Sequence, residues 1–190
     1  MSASVFTMLD LVERLGNRVR AALRSLGSKY GLQPVHLQAL MFLRDANRYS
    51  NTPQALAEHL GLTKGTVSQS LLLLERKGLI ARYADTIDKR VVRLELTAAG
   101  IALLKEVRLA PEWKKALRNI SLARTRTALP VLRETLQNLQ LNSGSRTFGL
   151  CQTCRHLQRE SERAYRCGLT GERLSTVEIR KVCREHQPKG

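Results

Sequence analysis

The residues most suited to chemistry in this 190-residue chain are its four cysteines. All lie at or after position 151, as Cys151, Cys154, Cys167 and Cys183. Their spacing is C-x2-C-x12-C-x15-C-x2-H, closing on His186. Two residues between Cys151 and Cys154 let a tight turn aim both sulfurs at one ion, and a second pair completes a tetrahedron. Zinc on the four cysteines is the expected group, and an iron–sulfur cluster would use the same four. A rival zinc set keeps Cys151, Cys154 and Cys183 and takes His186 instead of Cys167. His156 is expected at the surface. Leu150, Leu157, Tyr165, Leu169, Leu174, Val177, Ile179 and Val182 are too sparse for a core of their own. A bound ion would therefore supply the missing folding energy, either as a structural staple or as a sensor. A helix from about Ser175 is expected to deliver Cys183 and His186. A thiol oxidoreductase would need the C-x2-C pair at a helix start inside a βαβ pattern. No such pattern surrounds it, so an enzyme is not expected.

The remainder of the chain must position this tail. Thirty-two Lys and Arg against 16 Asp and Glu give a formal charge of +16. Residues 143–190 contribute 10 basic and 5 acidic residues, so the excess is not confined to one arm. Such a balance favours a polyanionic partner, nucleic acid first. No run of 18 apolar residues is present and the N-terminus, MSASVFTMLDLVERL, lacks a basic-then-apolar leader. A cytoplasmic protein with reduced cysteines is expected, with no membrane partner. Apolar content of 43% with only 4% aromatics implies a core of Leu, Val, Ile and Ala.

Val5, Met8, Leu9, Val12, Leu15, Val19, Leu23 and Leu26 recur at helical spacing and predict a first helix over 5–30. A second runs from about Pro34 to Ala46. Thr52 and Pro53 open a third as cap and first-turn proline. In QALAEHLGLTKGTVSQSLLLL, residues 54–74, Leu56, Ala57 and Leu60 line a short helix that Gly61 ends. Thr63 caps the next, with Leu62 and Val67 placed as a hydrophobic staple. Val67, Leu71 and Leu74 continue one buried stripe, so the pair reads as a helix-turn-helix. Gly78 and Leu79 suggest a Schellman ending. Residues 79–83 and 91–96 read as a hairpin, with Val92, Leu94 and Leu96 inward and Arg93 and Glu95 outward. Thr97 caps a helix through about Val107, and helical pattern resumes from Pro111 to about Leu141 with a kink or break at Pro130. Asn142–Ser145 is a linker. The expected class is mainly α with a small β-hairpin wing (α+β). Residues 1–33 and 108–142 are expected to form dimerisation helices, 34–107 the winged helix-turn-helix, and 143–190 the small metal-stapled module.

The stretch LAEHLGLTKGTVSQSLLLLERKGLI followed by ARYADTIDKRVVRLELTAAG resembles the MarR family of bacterial transcription regulators. That family's wing pattern, D-x-R-D-x-R then L-x-L-T-x-x-G, is matched at Asp85, Asp88, Arg90, Leu94, Leu96, Thr97 and Gly100. It departs at Ile87, where arginine is usual. The resemblance covers about residues 5–141. It implies a homodimer of winged helices with interleaved first and last helices, regulating transcription, with repression the expected sign. It also leaves room for a small-molecule effector that no residue here specifies.

A recognition helix presents its N-terminal turns to base edges in the major groove, and a dimer reads half-sites about one helical turn apart. The outward positions at that tip, beginning from the cap, are Thr63, Lys64, Gly65, Thr66, Ser68 and Gln69. Gln69 suits adenine, Ser68 and Thr66 suit several bases or phosphates, and Lys64 suits phosphate. Lys89 and Arg90 in the wing could reach the minor groove or backbone, with Asp88 orienting Arg90. Double-stranded DNA is the expected partner.

Overall fold

In the computed structural model, which describes residues 3–106 and 111–189, the described residues form seven α-helices and three small antiparallel sheets. The helices are α1 (Ala3–Ser28), α2 (Pro34–Asp45), α3 (Pro53–Leu60), α4 (Lys64–Arg76), α5 (Ala98–Glu106), α6 (Pro111–Arg118) and α7 (Leu122–Asn142). Strands β1 (Ile80–Ala84) and β2 (Val92–Leu96) form the wing. The tail contributes β3 (Gly149–Leu150), β4 (Leu157–Arg159), β5 (Tyr165–Cys167), β6 (Arg173–Leu174) and β7 (Val182–Cys183). The expected boundary at 107/108, and the expected end of α5 at Val107, lie outside the described residues.

Capping chemistry sets the elements of the helix-turn-helix. Thr52 Oγ1 accepts from the Ala55 amide at 3.1 Å, with Pro53 in the first turn. Thr63 Oγ1 accepts from the Thr66 amide at 3.2 Å. These bonds satisfy amides that have no partner within their own helix. Between the two helices Gly61 has φ of +64°, a left-handed conformation that costs glycine little. At the far end of α4 the Leu79 amide returns to the Leu74 carbonyl at 2.9 Å, the Schellman bond. Gly100 allows a different economy: a Cβ there would lie 2.1 Å from the Leu79 carbonyl oxygen, so α5 can seat directly on the end of α4 and start of β1.

The core is leucine and alanine, as the scarcity of aromatics requires. Leu37, Ala39 and Leu40 of α2, Ala55 and Leu56 of α3, Leu71 and Leu74 of α4, and Leu94 of β2 are almost wholly excluded from solvent. Ala55 and Ala57 let α3 approach its neighbours closely. Leu94 points inward as expected, whereas Val92 is exposed. Arg93, expected outward, is folded back. Its Nε donates to Asp85 Oδ2 at 2.6 Å and its Nη1 to the Arg48 carbonyl at 2.6 Å.

Two expectations are corrected. Pro130, expected to kink or break the helix, lies inside α7 without ending it, so the expected break is the part corrected. The break falls earlier, where Ser121 Oγ caps α7 by accepting from the Arg124 amide at 3.3 Å. A proline removes one backbone donor, and the carbonyl left without a partner here is on a solvent-facing helix with no buried residue. The helix expected from Ser175 is a single 3-10 turn, Glu178–Arg180. Ser175 and Glu178 cap each other, with bonds of 2.9 and 3.2 Å, but the chain then extends so that β7 can pair with β3.

The wing tip is organised around Asp85. Its carboxylate accepts from the amides of Asp88 at 3.0 Å and Ile87 at 2.8 Å, and from Arg93. These donors, the two amides foremost, hold its pKa down to about 2. A carboxylate with a depressed pKa stabilises the fold above its ordinary value of 3.8, and the contribution disappears as pH falls through about 2. The amide resonances of Ile87 and Asp88 should therefore titrate together with a midpoint near 2, and Asp85→Asn should abolish the step. A midpoint at or above 3.8 would contradict the geometry. In the core, Leu71→Ala should destabilise the fold by about 2–5 kcal/mol in chemical denaturation. The exposed neighbour change Leu72→Ala should stay within about 0.5 kcal/mol. Equal effects would show that α4 is not seated by this face.

Candidate nucleic-acid interface and thiol cluster

Val67, Ser70, Leu71 and Leu74 bury one side of α4, with Ser70 Oγ donating back to the Thr66 carbonyl at 2.9 Å. The opposite side of the N-terminal turns is open. Thr63, Lys64, Gly65, Thr66, Ser68 and Gln69 are all exposed. Thr63 is occupied in shaping the tip, since its hydroxyl contacts the Thr66 hydroxyl at 2.9 Å as well as the Thr66 amide. Gly65 has almost nothing near its Cα: an added Cβ would meet only Thr63 Oγ1, at 3.9 Å. Packing within the chain therefore does not demand glycine there. The first turn of α4 holds no acidic residue, so the positive end of the helix dipole is uncancelled.

In the wing, Lys89 and Arg90 are exposed. Arg90 is paired as expected: its Nε and Nη2 each lie 2.9 Å from the Asp88 carboxylate. Ile87, at the position where arginine was expected from the family pattern, is 92% exposed at the tip.

The tail wraps into a small body against the corner between α2 and α3. All four cysteines are free. Cys151, Cys154 and Cys183 are buried and Cys167 is half-buried. They line one cavity of about 90 Å³ together with His156, Tyr49 and Leu174. Among the described residues, no group of three or more His, Cys, Asp or Glu is arranged to hold an ion. Cys151 and Cys183 share a hydrogen bond that shifts them in opposite directions. Hydrogen bonding with Cys151 pulls Cys183 below the ordinary thiol range, and the same bond, with burial, pushes Cys151 up. Asn47 Nδ2 donates to Cys151 Sγ at 3.4 Å, and the Gln187 amide donates to Cys154 Sγ at 3.5 Å.

The two histidines exchange their expected places. His186, the rival ligand, does not line the cavity. Its Nε2 sits 3.0 Å from Thr153 Oγ1, and its ring packs so tightly on Gly149 that a Cβ there would be 2.6 Å away. His156, expected at the surface, lines the cavity and has a buried Nε2 without a hydrogen-bond partner.

Several residues that join the tail to the winged helix had no local signature. Arg184, the neighbour of Cys183, grips Glu58 of α3 with bonds of 2.6 and 2.8 Å, and its amide donates to Ser50 Oγ at 2.7 Å. Arg48 pairs with Glu172 and Glu178 at 3.3 and 3.0 Å. The Asn47 amide donates to the Val182 carbonyl at 2.9 Å. Phe148, with φ of +34°, a conformation unusual for a bulky residue, lays its ring against Phe42 and His59, with centroids 6.1 and 5.0 Å away. All of these link positions far apart in the chain, where no local pattern marks them.

Comparison with known proteins agrees with this geometry. Residues 30–91 match the model of the MarR family. The HTH-type transcriptional repressor YetL of Bacillus subtilis (strain 168) is 37% identical over 76 residues, covering 40% of this chain and 46% of that protein. The chain thus spans under half the length of the curated relative it matches. Among solved structures, a MarR-family transcriptional regulator from Silicibacter pomeroyi superposes with a TM-score of 0.58 at 25% identity, over 68% of this chain and 87% of that one. The S. aureus MepR–DNA complex superposes equally, with a TM-score of 0.58 at 23% identity over 68% and 94% of the two chains. The matched proteins are described as transcriptional regulators, and residues 30–91 of this chain are similar to the MarR family in sequence, with a fold shared by its solved members.

Proposed function

We propose that the chain is a sequence-specific DNA-binding transcriptional regulator, acting as a homodimer and as a repressor on a palindromic operator. The observation that carries this reading is the two-sided character of α4: one face locked into the leucine core, the N-terminal turns left bare, small and polar. A net charge of +16 supplies the attraction to phosphate, and the open helix start adds the dipole. Lys64, Lys89 and Arg90 contact the backbone, while Ser68 and Gln69 read base edges. Gly65 is explained by the approach of the duplex rather than by anything in the protein.

The dimer reading rests on α1 and α7. Leu11, Val12 and Leu15 of α1 and Leu132, Leu136 and Leu139 of α7 are all about half exposed or more, a stripe too large to leave in water. A groove between them is lined by Met8, Leu11, Val12 and Leu15 against Ala128, Val131 and Leu132. The interleaving of first and last helices implied by the MarR resemblance would cover it. The tail holds a metal on Cys151, Cys154, Cys167 and Cys183, with zinc the first choice and an iron–sulfur cluster the alternative. Metal analysis and an absorption spectrum of protein purified without air distinguish these two.

Selection from a random duplex pool tests the main reading. The recovered sites should be palindromic, with half-sites about one helical turn apart, and the free protein should have twice the 21.4 kDa mass of one chain. Gln69→Ala should weaken binding by about 1–3 kcal/mol and relax preference at one base of each half-site. Lys89→Ala should weaken all duplexes alike and reduce the salt slope by about one per chain. Gly65→Ala should raise helix stability by up to about 1 kcal/mol yet weaken DNA binding. Binding indifferent to salt, or untouched by changes at Gly65 and Gln69, would refute the proposal.

A further inference from the structure

We propose that a cation held by the thiolates of Cys151, Cys154, Cys167 and Cys183 braces α3 and thereby sets the affinity of the helix-turn-helix for DNA. The inference rests on the DNA-binding reading above and names how that site is regulated.

The first argument is chemical. Four free cysteines, drawn from a 3-10 turn, the loop after it, β5 and β7, border one void. Its volume of about 90 Å³ exceeds the roughly 10–15 Å³ that one water needs. Two sulfurs already receive N–H donors, from Asn47 and Gln187. Donors aimed at sulfur are the usual outer partners of metal-bound cysteine. His156 presents an unpartnered Nε2 to the same region, available to a thiolate or to the ion. His186 lies outside this void, with its Nε2 on Thr153 and its ring against Gly149, although its buried Nδ1 has no partner; the four cysteines, which all border the void, are the ligand set.

The second argument is energetic. Strands β3 to β7 are two or three residues long, and apart from two of the cysteines only Leu174 and Ile179 are buried in this cluster. Such a body lacks the apolar burial to hold itself together, and ligand bonds would replace it.

The third argument is positional. Asn47, 3% exposed, belongs to the α2–α3 corner yet hydrogen-bonds a ligand sulfur. Its Oδ1 accepts from the Tyr49 amide at 3.1 Å and from Ser50 Oγ at 2.7 Å, so the corner is shaped around it. Arg184 follows the ligand Cys183 and clamps Glu58 in the middle of α3. The residue that would hold the ion and the residue that holds α3 are therefore adjacent in the chain. Because α3 connects to the recognition helix through one tight turn at Gly61, freedom at Glu58 and Ser50 becomes freedom at the α4 tip. An ordered tip binds duplex at lower entropic cost.

The test uses the full chain, purified without air, and a duplex recovered by selection. The loaded protein should contain one zinc per chain, or one cluster. Removing it with a chelator should speed amide exchange in residues 52–60 and weaken duplex binding about tenfold, and zinc should restore both. Cys167→Ser should lack the ion and behave like the chelated protein. Arg184→Ala, which touches no ligand position, should keep the ion but bind DNA weakly whether or not the ion is present. The proposal is overturned if the protein holds no metal, if its cysteines pair as disulfides, or if the ion leaves exchange in 52–60 and DNA affinity unchanged. Ion-dependent exchange in 52–60 with no duplex bound by any form would leave the brace standing and defeat the DNA-binding reading instead.

Discussion

The architecture depends on the crossing of α3 and α4. Two short helices can be held at a fixed angle only if their contact is close and dry. Ala55 and Ala57 on one side and Val67, Leu71 and Leu74 on the other meet that demand with small and branched apolar groups. The turn between them uses Gly61 in a left-handed conformation and Thr63 as a cap, so its geometry is specified by two residues. Every functional statement about the recognition tip follows from this crossing. With one face buried to near zero exposure, the position of Lys64, Ser68 and Gln69 in space is fixed by packing several residues away.

This part of the molecule was legible because its signals are local. A capping threonine, a staple from Leu62 to Val67 and a glycine at a helix end each act within a few residues. The wing was legible in outline and wrong in one detail. Alternation placed Arg93 outward and Val92 inward, but Arg93 is held by Asp85 and the Arg48 carbonyl, and Val92 is exposed. Pro130 shows a different limit. A missing donor costs little on a helix with no residue buried within the chain, so the helix passes through Pro130 and starts at Ser121, where a side chain can cap.

The tail was legible in composition and illegible in placement. The spacing of four cysteines pointed to a common site, and the structure does gather them around one void without drawing them into a chelating group. Nothing in the sequence showed that Asn47 would reach Cys151 or that Arg184 would clamp Glu58. These contacts join residues more than one hundred positions apart, and charge pairs of that kind leave no periodic trace. They matter because they turn an appendage into part of the α2–α3 corner. The histidines illustrate the same point. Spacing offered His186 only as a rival to Cys167; its ring packs on Gly149 outside the void, while His156 borders it.

The claim on which the whole account turns is that the N-terminal turns of α4 meet duplex DNA. Amide exchange measured with and without a selected duplex locates that contact directly. The account predicts slowed exchange at residues 64–69 and 87–91, with α1 and α7 unaltered. Protection confined to α1, α7 or the cysteine tail, with residues 64–69 exchanging as in the free protein, would contradict it.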